Sequence, residues 1–183
     1  MYTKFIEEII TADECDKIIN HGKSLNLEFI KTYEPSTGQN FIDYSFNKRK
    51  GIKFVNEEFN NIGERILKII NECKIYSGLI YDKLDPYLFN QYNEKNFLNY
   101  HIDTAEIENG ASITVVYQLN DDYEGGEFCY KINNNEYILP KKKGSIFIFE
   151  SSILHKVNPV LQGCRYSLNN WPKYSKLKKN NII

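Results

Sequence analysis

The spacing of apolar residues changes near Tyr76, from a helical period before it to strand-like segments after it. Thr11-Ala12-Asp13-Glu14 has the form of a capping box: the hydroxyl can accept from the backbone three residues on, and the glutamate can reach back. Cys15, Ile18 and Ile19 then share one face of a predicted helix that ends near His21-Gly22, glycine being the usual terminator. His21 at that end is predicted to complement the helix dipole, not to bind a ligand. Residues 5–10 before the cap read as a short strand or a helix entry. A second helix is predicted over 56–73, because Val55, Phe59, Ile62, Ile66, Ile69, Ile70 and Cys73 recur at helical spacing. Residues 31–53 show no sustained period and hold turn signals at Glu34-Pro35-Ser36 and Thr37-Gly38. A hairpin, an ordered loop and a mobile flap over a pocket all fit that stretch.

Beyond Tyr76 the predicted strands are Tyr87–Tyr92, Ala111–Leu119, Glu127–Ile132, Glu136–Pro140, Gly144–Phe149, His155–Val157 and Arg165–Trp171. They are rich in β-branched and aromatic residues and are broken by short polar turns. The Gly144–Phe149 segment is apolar throughout, as expected of a strand covered on both faces. Two helices followed by closely spaced strands predict a mainly β fold with supporting helices, its core a double-stranded β-helix or jelly roll. A length of 183 residues suits one domain. Its parts would be helical support with the candidate flap (1–75), the jelly-roll core (76–175) and a tail (176–183).

The stranded half carries the candidate chemistry. His101 and Asp103 alternate on a chain read as extended, so both side chains face one side. His155 follows much later. Two histidines and a carboxylate on one face of a divalent iron form a facial triad, with three coordination positions left open for a cosubstrate and dioxygen. Arg165 lies ten residues past His155 on an otherwise apolar strand and offers a permanently charged fork suited to a carboxylate. The competing readings are buried structural histidines and an ordinary surface cation.

Composition removes other classes. A net charge of -1 gives no electrostatic footprint for nucleic acid or an anionic membrane, and the lysine runs at 141–143 and 176–179 are short. Four scattered cysteines form no Cys-x-x-Cys pair and argue against a zinc knuckle or a dense disulfide framework. The amino terminus lacks a signal-peptide core, and no apolar run is of membrane-spanning length, so a reducing cytoplasmic setting is the default expectation.

Taken together, His101-x-Asp103, His155, Asn158-Pro159-Val160 and Arg165-x-Ser167 resemble the iron(II)/2-oxoglutarate-dependent dioxygenases. Gln118 to Phe128, with its Glu124-Gly125-Gly126-Glu127, narrows the resemblance to the prolyl-hydroxylase-like branch, and most to the bacterial and phage PKHD-type hydroxylases. It covers roughly residues 88–171. The resemblance implies iron(II) on His101, Asp103 and His155, with 2-oxoglutarate and dioxygen consumed and ascorbate admissible as a reductant. Arg165 would pair with the far carboxylate of 2-oxoglutarate, with Ser167 and the Tyr92 hydroxyl as neighbouring donors. Decarboxylation to succinate would be coupled to hydroxylation of an unactivated C–H bond. The substrate would be a peptide or protein in the manner of prolyl hydroxylases, or a free amino acid or other small molecule. A non-catalytic binding module on the same fold is the remaining alternative. Lys95 stands where the family has a glycine, and Ala111 where peptide prolyl hydroxylases often have an arginine. Trp171 matches a recurrent tryptophan expected to close the barrel core.

Overall fold

A computed structural model of the chain describes residues 1–34, 39–55, 57–76, 78–84, 86–103 and 112–176. The first helix, Ala12–Ser24, opens on the predicted capping box: Glu14 N donates to Thr11 Oγ1 at 3.2 Å, and Thr11 N to Glu14 Oε2 at 2.8 Å. It does not stop at Gly22. It runs to Ser24 and is capped by Leu25 in extended conformation, while Gly22 faces the Phe89 ring so closely that a Cβ there would lie 2.6 Å from it. That glycine lets helix and sheet approach. His21 packs in the last turn with edge contacts to Phe54 and Phe59.

The second helix begins with a 3-10 turn, Glu57–Phe59, and continues over Asn60–Cys73. Phe59, Ile62, Ile66 and Ile70 bury its apolar stripe, and Ile69 packs partly buried at its margin. Val55 lies outside the stripe, 76 % exposed just before the helix, so the predicted periodicity reached one residue too far.

Two antiparallel sheets make the β core. The larger runs Thr3–Ile6, Ile146–Glu150, Ile113–Gln118, Arg165–Asn170, Tyr87–Tyr92, Lys50–Phe54 and Glu28–Phe29 in spatial order. The smaller runs Asn135–Ile138, Phe128–Ile132, His155–Val157, Phe97–His101 and Asn47–Lys48. Alternation sorts the side chains by face. Ile146 and Ile148 turn toward the helices with Val115, Tyr117, Tyr166 and Leu168, while Phe147 and Phe149 turn inward with Val116 and Phe128. The Ile146–Glu150 strand is therefore covered on both sides, as its composition predicts.

Within the stretch that lacked a period, Thr32–Glu34 pairs with Gln39–Phe41 as a hairpin, and the turn residues 35–38 lie outside the described residues. Residues 47–54 belong to the two sheets, so only the part before them retains the form of a flap. Leu79–Lys83 and Lys173–Lys176 add an unpredicted strand pair; residues 177–183 of the expected tail and Ala111 also lie outside the described residues. Lys95 takes φ +63°, the left-handed conformation that glycine adopts at lower cost, and its N–H donates to Val160 O at 2.8 Å. All four cysteines are free thiols.

Candidate active site

His101 ends the Phe97–His101 strand and lies opposite His155 in the ladder of the smaller sheet. Each imidazole is turned by the same device: Nδ1 of His101 meets Asn99 O, and Nδ1 of His155 meets Ile153 O, both at 2.8 Å. A carbonyl can only accept, so Nδ1 carries the proton and Nε2 presents its lone pair. Burial, reinforced by the neighbouring His155 and opposed by Asp103, lowers His101 to about 4. Burial likewise lowers His155. Both rings are thus neutral at pH 7, the form that ligates metal. Phe128 stacks on His155, and Phe149 meets it edge-on.

Asp103 lies two residues past the end of its strand, held by its N–H on Ser151 O at 2.9 Å. Its Oδ2 accepts from Thr114 Oγ1 at 2.7 Å and from Trp171 Nε1 at 3.1 Å. Two donors on one oxygen pin the carboxylate and leave Oδ1 turned to His101 Nε2, 3.6 Å away. Donor atoms of His101, Asp103 and His155 all lie within 4.8 Å of one another, a grouping that could hold a metal ion. Two neutral imidazoles and one pinned carboxylate form the donor set suited to non-haem Fe(II). Trp171 is therefore not the barrel-closing residue the sequence suggested: half-buried, it spends its one N–H on the carboxylate.

Arg165 is only 1 % exposed, an unusual place for a guanidinium. Its Nη1 donates to Ser167 Oγ at 3.0 Å and its Nη2 to Gln118 Oε1 at 3.2 Å, while Nε has no partner. It lies over the Tyr92 ring, 5.2 Å from the centroid, because Arg165 and Tyr92 face each other in the ladder. Among the described residues no carboxylate pairs with it. A narrow cavity bounded by His155, Phe128, Val116, Tyr92, Ser167 and Arg165 links imidazole to guanidinium. A buried cation without a counter-ion is costly, and an anionic ligand offsets that cost. Of the six residues singled out from the sequence, Tyr92, His155, Arg165 and Ser167 line this cavity, and His101 and Asp103 are grouped with His155 at its end. Thr114 and Gln118, which orient the carboxylate and the guanidinium, have side chains no different in sequence from those of any polar strand position.

Among known protein families, the model of the 2OG-Fe(II) oxygenase superfamily matches residues 87–173. That match, together with PKHD-type hydroxylases among the relatives, supports an oxygenase domain of that superfamily, PKHD-like. It is 32 % identical over 113 residues to a PKHD-type hydroxylase of Alteromonas mediterranea, covering 57 % of this chain and 50 % of the relative. It is 29 % identical over 120 residues to the PKHD-type hydroxylase PiuC of Pseudomonas aeruginosa, covering 60 % and 53 %. The chain thus spans about half the length of the curated relatives it matches.

In fold it is similar to a Trichoplax adhaerens prolyl hydroxylase solved with a hypoxia inducible factor peptide, at TM-score 0.75 and 16 % identity over 93 % of this chain and 82 % of that one. It is also similar to the collagen prolyl hydroxylase of Paramecium Bursaria Chlorella virus-1 solved with 2OG, at TM-score 0.67 and 17 % identity over 94 % and 96 %. These likenesses bear out the jelly-roll prediction. Among the described residues no helix is long and apolar enough to cross a membrane.

Proposed function

We propose that the chain is an Fe(II)- and 2-oxoglutarate-dependent hydroxylase that acts on an unactivated C–H bond of a peptide or protein. The observation that carries this reading is a buried guanidinium with no carboxylate partner among the described residues, joined by one cavity to His155, which is grouped with His101 and a pinned Asp103. His101, His155 and Asp103 would hold the metal. Thr114 and Trp171 donate to Asp103 Oδ2 and fix the orientation of the carboxylate toward the two imidazoles. Arg165 takes the distal carboxylate of 2-oxoglutarate, with Ser167 and Tyr92 beside it, and Gln118 keeps the guanidinium aimed along the cavity. When bound, the metal and cosubstrate supply the oxidation, coupling loss of carbon dioxide to C–H hydroxylation. The protein supplies placement and a largely apolar pocket walled by Leu98, Val116, Phe128 and Val157.

Support for a peptide or protein substrate comes from the company the fold keeps, one neighbour being a prolyl hydroxylase solved with its peptide. The test is succinate release from the Fe(II)-loaded protein with 2-oxoglutarate, offered pools of proline-containing peptides and, separately, free amino acids. The reading expects peptide-dependent succinate and a mass gain of one oxygen in the peptide. Succinate that depends only on free amino acids would replace the peptide assignment, and none with any pool would remove the hydroxylase reading.

A further inference from the structure

The chain has three arginines against twenty lysines, and each arginine supplies a planar fork where a lysine would supply a flexible point charge. Arg65 pairs with Glu14 on the surface at 2.8 Å. The other two converge on one ring: the guanidinium of Arg165 lies 5.2 Å and that of Arg49 5.9 Å from the centre of Tyr92. Neither has a carboxylate partner among the described residues. Cosubstrate accounts for one of them. The second is unexplained by the proposed reaction.

Arg49 is not loosely placed. Its Nε donates to Asn90 Oδ1 at 2.9 Å and its Nη1 to Asn47 Oδ1 at 3.2 Å. Both amides are themselves buried, Asn90 at 1 % exposure and Asn47 at 4 %. Asn90 is tied on through Nδ2 to Asn169 Oδ1 at 3.1 Å, and Asn169 lines the same cavity as His155 and Arg165. Asn47 is tied to Ile30 O at 3.2 Å. Amide oxygens orient a guanidinium without neutralising it, so the row Asn169–Asn90–Arg49–Asn47 holds an aimed positive charge that no carboxylate among the described residues compensates. Arg49 lies between the Asn47–Lys48 strand, which pairs with the strand that ends in His101, and the Lys50–Phe54 strand of the other sheet, which pairs with the strand that ends in Tyr92.

We infer that Arg49 is a specificity-determining residue that binds a carboxylate of the primary substrate, and hence that the hydroxylated molecule is an acid. This rests on the oxygenase reading above. The carboxylate could belong to an acidic side chain of a peptide or to a free amino acid, and the two sources are separable. The test uses Mn(II)-loaded protein saturated with 2-oxoglutarate under argon, where binding is read without turnover. One arm offers two pools of blocked pentapeptides, random except for a central Glu or a central Gln. The other offers free amino acids against their carboxamides. Retained ligands are counted by mass spectrometry for the parent, Arg49→Gln, Arg49→Lys and, as a neighbouring exposed cation, Lys53→Gln.

In at least one arm, acids are expected to be retained at least about tenfold over amides by the parent and by Lys53→Gln, consistent with the strength of a charge-assisted fork. The preference should fall to near one in Arg49→Gln and recover in part in Arg49→Lys, with 2-oxoglutarate affinity unchanged. A merely structural role would lower the melting temperature without erasing an acid preference. Equal retention of acids and amides by the parent in both arms, a preference that survives Arg49→Gln, or a loss of 2-oxoglutarate affinity in that variant would each overturn the inference. Retention of acids without succinate formation under air would leave Arg49's role standing and remove the hydroxylase reading. Succinate formation with equal retention would do the reverse.

Discussion

The two faces of the strand Arg165–Asn170 carry opposite obligations. Tyr166 and Leu168 point to the helices and join an apolar core with Ile18, Ile66 and Phe89. Arg165, Ser167 and Asn169, one residue out of step, line the inner cavity with Tyr92 and His155. A period of two thus places a stability layer and a chemistry layer on one backbone. The helix-backed face is satisfied by its own contacts. The inner face holds a guanidinium with no carboxylate partner among the described residues and an aspartate fixed through Oδ2 by Thr114 and Trp171, an arrangement suited to ligands. Substitutions on the two faces should therefore separate ligand affinity from stability.

The largest effect is expected at the metal. His155→Ala or His101→Ala should lower Mn(II) affinity by more than ~100-fold, since loss of a ligand exceeds loss of a group that merely supports one. The melting temperature of the metal-free protein should change by only a few degrees, as calorimetry of the two forms would show. Next is Arg165→Met, which removes the charge and keeps much of the volume. It should raise half-saturation for 2-oxoglutarate several hundredfold, on the order of 3–5 kcal/mol in a dry site. Because it also removes an uncompensated buried cation, the ligand-free protein should melt no lower than the parent. A fall in melting temperature with unchanged half-saturation would reverse the roles assigned to the two faces.

Leu168→Ala on the other face should cost about 2–5 kcal/mol of unfolding free energy in denaturant titrations and leave Mn(II) affinity of the folded fraction unchanged. Trp171→Phe sharpens the comparison further. It deletes one donor to Asp103 Oδ2, so Mn(II) should bind roughly tenfold more weakly with stability nearly kept. The smallest effect is a pH insensitivity. A depressed imidazole stays neutral until the pH falls toward its own pKa, about 4 for His101. Mn(II) affinity should therefore change less than about twofold between pH 7 and 5.5 on account of that ring, where an unshifted imidazole would lose about tenfold.

The sequence pattern reveals the two faces of the strands better than the contacts between them. Arg165, Ser167 and the His101-x-Asp103 pair stand out because their types and spacing carry chemistry, and the strand period places them. Gly22 does not announce its role: a glycine near a helix end reads as a terminator, and only the Phe89 ring opposite it shows that it serves close packing. Trp171 is ambiguous for a related reason, since an indole is both a core filler and a donor, and the position of Asp103 decides between them. Arg49 sits in the stretch without a period, braced by asparagines 2 and 41 positions away. Side-chain amides on a strand have no sequence signature, so that row becomes visible only once the two sheets are assembled.

The most direct test of the central claim is a calorimetric titration of 2-oxoglutarate into the protein with and without Mn(II), under argon, for the parent and Arg165→Met. The account predicts saturable one-to-one binding that requires the metal and is weakened several hundredfold by the substitution, because each end of the cosubstrate is held by a different part of the inner face. Binding of equal strength without metal, or undiminished in Arg165→Met, would contradict it.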